Sequence, residues 1–219
     1  MNIVVLNEKN TILNQFISEI RDETVQRDSM RFRRNMERIG EIMAYEISKQ
    51  LQYEEREVTT PLGIANVSVP CEKPVLATIL RAGLPFHQGI LNYFDTADSS
   101  FISAFRKYSK DNSFHIELEY ISCPDLDNRT LILCDPMLAT GASMVLALNS
   151  LLKKGKPRHT HIATIIACKD GINYIQKNLS IINVTLWAAA VDEELTVKSY
   201  IIPGLGDAGD LAYGNKENI

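Results

Sequence analysis

An apolar strand ending in a carboxylate, followed by a loop of small residues and then a helix, is suited to gripping a phosphate monoester. Residues 131–154 have that form. Leu131, Ile132, Leu133 and Cys134 lead to Asp135, then to Pro136, Met137, Leu138, Ala139, Thr140, Gly141, Ala142 and Ser143, with a helical stretch from Met144 to Lys154. The first turn of a helix has backbone N–H groups without intrahelical acceptors and carries the positive end of the helix dipole. Thr140 and Ser143 add hydroxyl donors, and Asp135 is placed to accept hydrogen bonds from sugar hydroxyls. On local physics alone the run fits equally well a plain strand-to-helix turn capped by Ser143. No lysine follows Gly141, so the loop departs from the pattern that cradles nucleoside triphosphates.

Residues 201–210, Ile-Ile-Pro-Gly-Leu-Gly-Asp-Ala-Gly-Asp, are a second feature of this kind. Pro203, Gly204, Gly206 and Gly209 force a tight backbone turn.

The elements that must position these loops follow from periodicity. Residues 1–9 read as an extended lead, and Leu13, Phe16, Ile17 and Ile20 mark a short amphipathic helix. From Asp28 to Leu51 the apolar positions Phe32, Met36, Ile39, Ile42, Met43, Tyr45, Ile47 and Leu51 recur every three to four residues, the stripe of a core-packed helix. Residues 59–63 signal a turn, and alternation through Ala65, Val67 and Val69 predicts a strand leading into the centre. Further strands are expected at 75–80, 101–105, 131–134, 161–168 and 184–191, with a helical segment over 85–93. This order predicts an α/β fold, a mainly parallel sheet flanked by helices, whose ligands gather at the carboxyl ends of the strands.

Composition narrows the function classes. The 219 residues, 45% hydrophobic, suffice for one sizeable core, and a formal charge of -4 supplies no field to gather nucleic acid. Cys71, Cys123, Cys134 and Cys168 are widely spaced, which predicts buried thiols in a reducing compartment rather than a zinc site or a disulfide scaffold. Apolar runs are too short to span a bilayer, so a cytoplasmic protein without a membrane partner is expected. His87, His115, His159 and His161 read as structural or exposed.

The run from Asp135 to Ser143 resembles the phosphoribosyl pyrophosphate (PRPP) loop of type I phosphoribosyltransferases, in the wording of uracil phosphoribosyltransferases. Two more segments resemble that family in register: residues 79–84, Ile-Leu-Arg-Ala-Gly-Leu, and residues 200–210, which begin with Tyr200. A looser likeness runs from Arg31-Phe32-Arg33 and Tyr45-Glu46 to Tyr213-Gly214-Asn215-Lys216. The resemblance implies a Rossmann-like phosphoribosyltransferase fold in one 1–219 domain: an N-terminal helical segment over 1–55, a PRPP-binding core over 75–192 and a small uracil-binding hood over 198–214. It implies transfer of the phosphoribosyl group from PRPP to uracil, giving UMP and pyrophosphate.

By the same resemblance PRPP contacts Arg81, Arg106, Asp207 and the loop from Asp135 to Ser143, and Arg81, Asp135 and Asp207 are the catalytic residues. The guanidinium fork of Arg81 can engage two oxygens of a departing pyrophosphate, although such an arginine can also merely end a strand in a surface ion pair. Uracil contacts Ile201, Gly206, Asp207 and Ala208; Asp207 can equally stabilise its own turn. A donor, acceptor, donor array accepts uracil and rejects cytosine, each unpaired buried group costing about 1–3 kcal/mol. Magnesium (Mg2+) arrives with PRPP, bound by no protein side chain. A homo-oligomer and a GTP effector are implied as partners.

Four departures from the family stand out: Ala142 where a second loop glycine is usual, Cys134 where an acid is common, Glu194 where a basic or polar residue is frequent, and the stretch after Arg106 with Glu117, Glu119 and Tyr120. A positive backbone dihedral at Ala142 would strain the loop by about 1 kcal/mol. Two other readings stay open: a regulatory protein of this fold that senses PRPP or nucleotides, and a phosphoribosyltransferase for another base.

Overall fold

The computed structural model describes residues 1–108, 114–179, 181 and 183–215, with the side chains of 104–118 outside that description. Strand β1 (Asn2–Val5) precedes helices α1 (Leu13–Arg21) and α2 (Ser29–Ser48), and an antiparallel ribbon of β2 (Tyr53–Thr60) and β3 (Gly63–Pro70) follows. The core then runs through β4 (Val75–Leu80), α3 (Leu84–Leu91), β5 (Asp98–Tyr108), β6 (Phe114–Ser122), β7 (Thr130–Cys134) and β8 (Met137–Leu138). It continues with α4 (Ala142–Leu151), β9 (His159–Cys168), α5 (Lys169–Asn178) and β10 (Val184–Asp192). A short hairpin of β11 (Glu194–Leu195) and β12 (Ile201–Ile202) and the helix α6 (Ala208–Tyr213) close the described chain.

The main sheet has the order β1-β10-β9-β7-β4-β5-β6, parallel except for the β5–β6 pair, and β8 adds to β9. Alternate residues on each strand feed two cores. Leu76, Ile132, Cys134, Ala163 and Trp187 pack beneath α1, α2 and α3, whereas Val75, Ala77, Leu133, Ile162 and Leu186 pack beneath α4 and α5. Full burial of such a side chain is worth about 1.5–3 kcal/mol, enough to set register on both faces. Asp28 caps α2 by accepting from the N–H groups of Met30 and Arg31. Helices α2 and α3 cross backbone to backbone: a Cβ on Gly89 would lie 2.0 Å from Glu37 O, and one on Gly40 2.5 Å from Phe86 O.

The connection leaving β4 crosses one face of the sheet through α3, and the connection leaving β7 crosses the other through α4. Adjacent strands whose connections diverge in this way open a crevice at their carboxyl ends, where such sheets bind ligands. Arg81 and Asp135 are the first residues beyond those two ends.

Four expectations need correction. The strand through Ala65, Val67 and Val69 does not enter the sheet: β2 and β3 form a separate ribbon, exposed along nearly its whole length, with Leu62 at its tip 100% exposed. Alternation detects the strand but not which body its faces meet. Residues 1–9 are extended only over β1, which pairs with β10 at the sheet edge, and then turn through a short 3-10 helix at Leu6–Glu8. Tyr45 is 57% exposed and lies beneath the Lys49 ammonium at 4.7 Å rather than in the core. Cys134 and Cys168 are buried, but Cys71 is exposed and Cys123 half-buried; all four are free thiols.

Candidate active site

Strand β7 delivers Asp135 to the crevice with its backbone N–H bonded to Ala163 O at 3.1 Å. The Pro136 carbonyl then accepts from the N–H groups of Ile165 and Ile166, and β8 pairs with Ile166 and Ala167. Pro136 and Leu138 are buried, so the first half of the loop is tied to the core and offers a ligand main-chain groups only. Met137, Ala139, Thr140, Ala142 and Ser143 are half-buried.

Gly141 is the N-cap of α4 with a φ of 82°, the left-handed value that glycine adopts at least cost. Its missing Cβ also matters, since one there would meet Gly171 O at 2.7 Å. A Cβ on Gly171 would in turn lie 2.4 Å from Ala139 O, so α5 abuts the loop through two glycines. Ala142 is not among the residues of positive φ, and it bears no strain of the kind its departure from the family raised. The cap is also not Ser143: the Ala142 N–H faces Thr140 Oγ1 at 3.4 Å.

The Asp135 carboxyl sits where burial opposes its charge. Desolvation raises its pKa to about 8, partly offset by the Met137 backbone N–H. Cys134 is pushed up to about 12 by the same burial and hydrogen-bonds within the sheet, its carbonyl accepting from Thr78 Oγ1 at 3.2 Å. It is an inert packing thiol.

Arg81 follows a cis Leu80–Arg81 peptide. Its Nη2 donates to Asp210 Oδ1 at 3.2 Å and to the Gly214 carbonyl at 3.4 Å. Those partners belong to the terminal segment, so the first and third motifs meet here. Gly209 lies at this junction, its Cβ position 3.9 Å from both Ala82 Cβ and Arg81 Nη2, ordinary packing distance.

Within that segment Ile201 is buried, Gly204 has φ 57° and Gly206 has φ 95°. A side chain at Gly206 would meet only Leu211 Cδ1, at 4.0 Å, so the backbone there faces open space. Asp207 caps α6, with Oδ1 accepting from Gly209 and Asp210 N–H, and Ala208 is the buried first residue of that helix. Arg33 holds the far end, donating to Ala212 O at 2.6 Å with its guanidinium 5.8 Å from the Tyr213 ring centroid.

Arg106 lies on β5 opposite Ile116, one strand over from β4, but its side chain is outside the described residues, as are residues 109–113 and Lys216. Glu119 and Tyr120 are exposed on β6. His159 and His161 stand at the opposite end of β9 from the crevice. His161 Nδ1 accepts from Trp187 Nε1 at 3.1 Å, and burial lowers its pKa to about 3. His87 is buried on α3, and among the described residues its Nε2 has no hydrogen-bond partner. His115 is outside the described side chains.

Sequence reasoning assigned no role to Asp210 or Arg33, although both stand in segments of family likeness, and missed Gly171 and the pair Arg21 and Asp192. Only Asp210 had a local signal, an acid three residues after a capping aspartate. The remainder depend on contacts between distant segments.

The family model for uracil phosphoribosyltransferase matches residues 7–215. A uracil phosphoribosyltransferase of Porphyromonas gingivalis is 56% identical over 216 residues, covering 99% of this chain and 100% of that protein. One from Methanothermobacter thermautotrophicus is 38% identical, covering 94% and 93%. Among solved structures, the AQ2163 protein of Aquifex aeolicus superposes with a TM-score of 0.84 at 31% identity, over 97% of this chain and 98% of that one. With motifs, fold and site geometry in agreement, this chain belongs to the uracil phosphoribosyltransferase family.

Proposed function

We propose that this chain transfers the 5-phosphoribosyl group of PRPP to uracil, releasing pyrophosphate and forming UMP. The observation that carries the reading is the meeting of Arg81, beyond β4, with the 207–210 turn, in the crevice that Asp135 enters from β7. Displacement at the anomeric carbon gives the ribose oxocarbenium character and the pyrophosphate extra charge, so the protein acts by positioning and electrostatic stabilisation.

In this reading the loop 135–143 holds the 5-phosphate with main-chain N–H groups, Thr140 and Ser143. Asp135 accepts from the ribose hydroxyls, and Arg81, joined by Arg106, takes the pyrophosphate. Ile201, Gly206 and Ala208 present main-chain groups to uracil, with Asp207 between base and ribose sides. Magnesium belongs to the PRPP substrate, since it favours oxygen ligands and substrate phosphates.

The hood over 198–214 and the N-terminal helices complete one working unit in this proposal. Homo-oligomeric assembly rests on the family resemblance. A GTP effector and a cytoplasmic location rest on the family resemblance, while no helix of the described residues is long and apolar enough to cross a membrane.

A competition among uracil, cytosine, hypoxanthine and orotate tests the base assignment. Uracil should outcompete cytosine by about a hundredfold or more, from two mispaired groups. Preferential use of hypoxanthine would overturn it.

A further inference from the structure

Arg21, the last residue of α1, and Asp192, the last of β10, form a fork-to-fork pair: Nη1 to Oδ2 and Nη2 to Oδ1, both 2.8 Å. Asp192 is only 7% exposed. Among the described residues, neither makes a hydrogen bond to the loops that follow β4 or β7. Both instead grip one residue of the terminal turn, Gly204. Asp192 Oδ2 accepts from the Gly204 N–H at 2.9 Å, and Arg21 Nη1 donates to the Gly204 carbonyl at 2.8 Å.

Gly204 therefore has both backbone polar groups bound by the pair, at a φ of 57° and with a Cβ position only 2.2 Å from Ile201 O. The Gln26 carboxamide, with its NH2 turned inward, donates to the next carbonyl, Leu205 O, at 2.8 Å. Gly206 and Asp207 are the next two residues. A main-chain array discriminates between bases only if its donors and acceptors are fixed before the base arrives.

We infer that Arg21 and Asp192 act together as a positioning device for residues 201–206 of the turn, setting affinity and selectivity for the pyrimidine base more than for PRPP, whose contact Asp207 is fastened separately as the cap of α6. This rests on the function proposed above, since the turn must be the base-reading element. The pair suits that role because it is mostly withdrawn from water, bidentate and planar, so its geometry has little slack.

The test combines kinetics with a substrate-free readout. Arg21→Met keeps much of the packing volume and removes the fork; Asp192→Asn keeps the shape and removes the charge. Each should raise the uracil KM about tenfold or more, raise the PRPP KM by no more than about threefold through the neighbouring Asp207, and weaken discrimination against cytosine. The double variant should be scarcely worse than either single, because the residues act as one unit. Arg21→Lys, which restores charge without the fork, should recover only part of the loss.

Amide hydrogen exchange over 201–209, measured without substrates, should quicken in Arg21→Met. Unchanged exchange there, or equal rises in both KM values, overturns the inference. If the wild-type protein uses no uracil the base assignment fails, while the exchange result still decides whether the pair holds the turn.

Discussion

Arg81 Nη2 and Asp210 Oδ1 are 3.2 Å apart, an ion pair that joins the end of β4 to the last helix across 129 residues of sequence. With PRPP in place, the pyrophosphate oxygens become competing partners for the same guanidinium. An exposed pair of this kind is worth about 0–1 kcal/mol, so its loss costs the fold little. Arg81→Ala should lower kcat/KM for PRPP by about a hundredfold or more with a small change in Tm, as expected where one preorganised donor is removed. Asp210→Asn should instead lower the PRPP KM by up to about fivefold, the equivalent of the pair's worth. Stopped-flow or steady-state assays at fixed uracil distinguish the two; a PRPP KM that rises in Asp210→Asn would show that Asp210 positions Arg81 rather than competing for it.

Asp135 combines function with a stability cost. Its pKa is about 8 in the fold, against an ordinary carboxylate value of 3.8, because burial disfavours the charge. The unfolded chain ionises this group from about pH 4 upward while the folded chain keeps its proton, so the fold loses stability progressively between about pH 4 and pH 8. Asp135→Asn removes that dependence. Its Tm relative to wild type should climb across this window and level off above it, with activity largely abolished. The wild-type kcat/KM for PRPP should rise with pH toward a limb near 8, since the ionised carboxylate is the better acceptor for ribose hydroxyls. Parallel Tm profiles for the two proteins would contradict the assigned environment.

Gly171 has no contact with substrate in this account, yet its absent Cβ admits the loop. Gly171→Ala places a methyl 2.4 Å from Ala139 O and must displace either α5 or the loop. A cost of about 1–3 kcal/mol is expected, with a raised PRPP KM and an unchanged uracil KM. Thermal melts and initial rates on the same preparation suffice; an unaltered PRPP KM would separate the glycine from the loop's geometry.

Ala142 is a departure from the family without a penalty. It begins α4 with an ordinary helical backbone, so restoring the glycine removes no strain. Ala142→Gly should destabilise by about 0.5–1 kcal/mol through the added freedom of the unfolded chain, leaving the PRPP KM within about twofold. A marked fall in KM would show that the alanine had been obstructing the loop.

How much of this could be read in advance depended on the distance over which each feature is encoded. Strand β4 coincides with the apolar run Val75 to Leu80, and α2 with the 3.6-residue stripe from Phe32 to Ile47, because burial on one face is written locally. The 53–70 ribbon was only half visible: alternation marks β3, but an exposed ribbon carries no burial contrast to show that it leaves the sheet. In the site, Asp135 and the loop were evident as a strand, turn and helix. Gly141 and Gly171 meet between α4 and α5, and Arg21 pairs with Asp192 across 171 residues, so no window of sequence contains either relation.

Release of pyrophosphate from magnesium PRPP, with and without uracil, on wild type, Arg81→Ala and Asp135→Asn tests the central claim most directly. Uracil-dependent release in wild type that collapses in both variants, each still folded by its melting transition, is the predicted result. Well-folded wild-type protein that binds PRPP but releases no pyrophosphate on addition of uracil would contradict it.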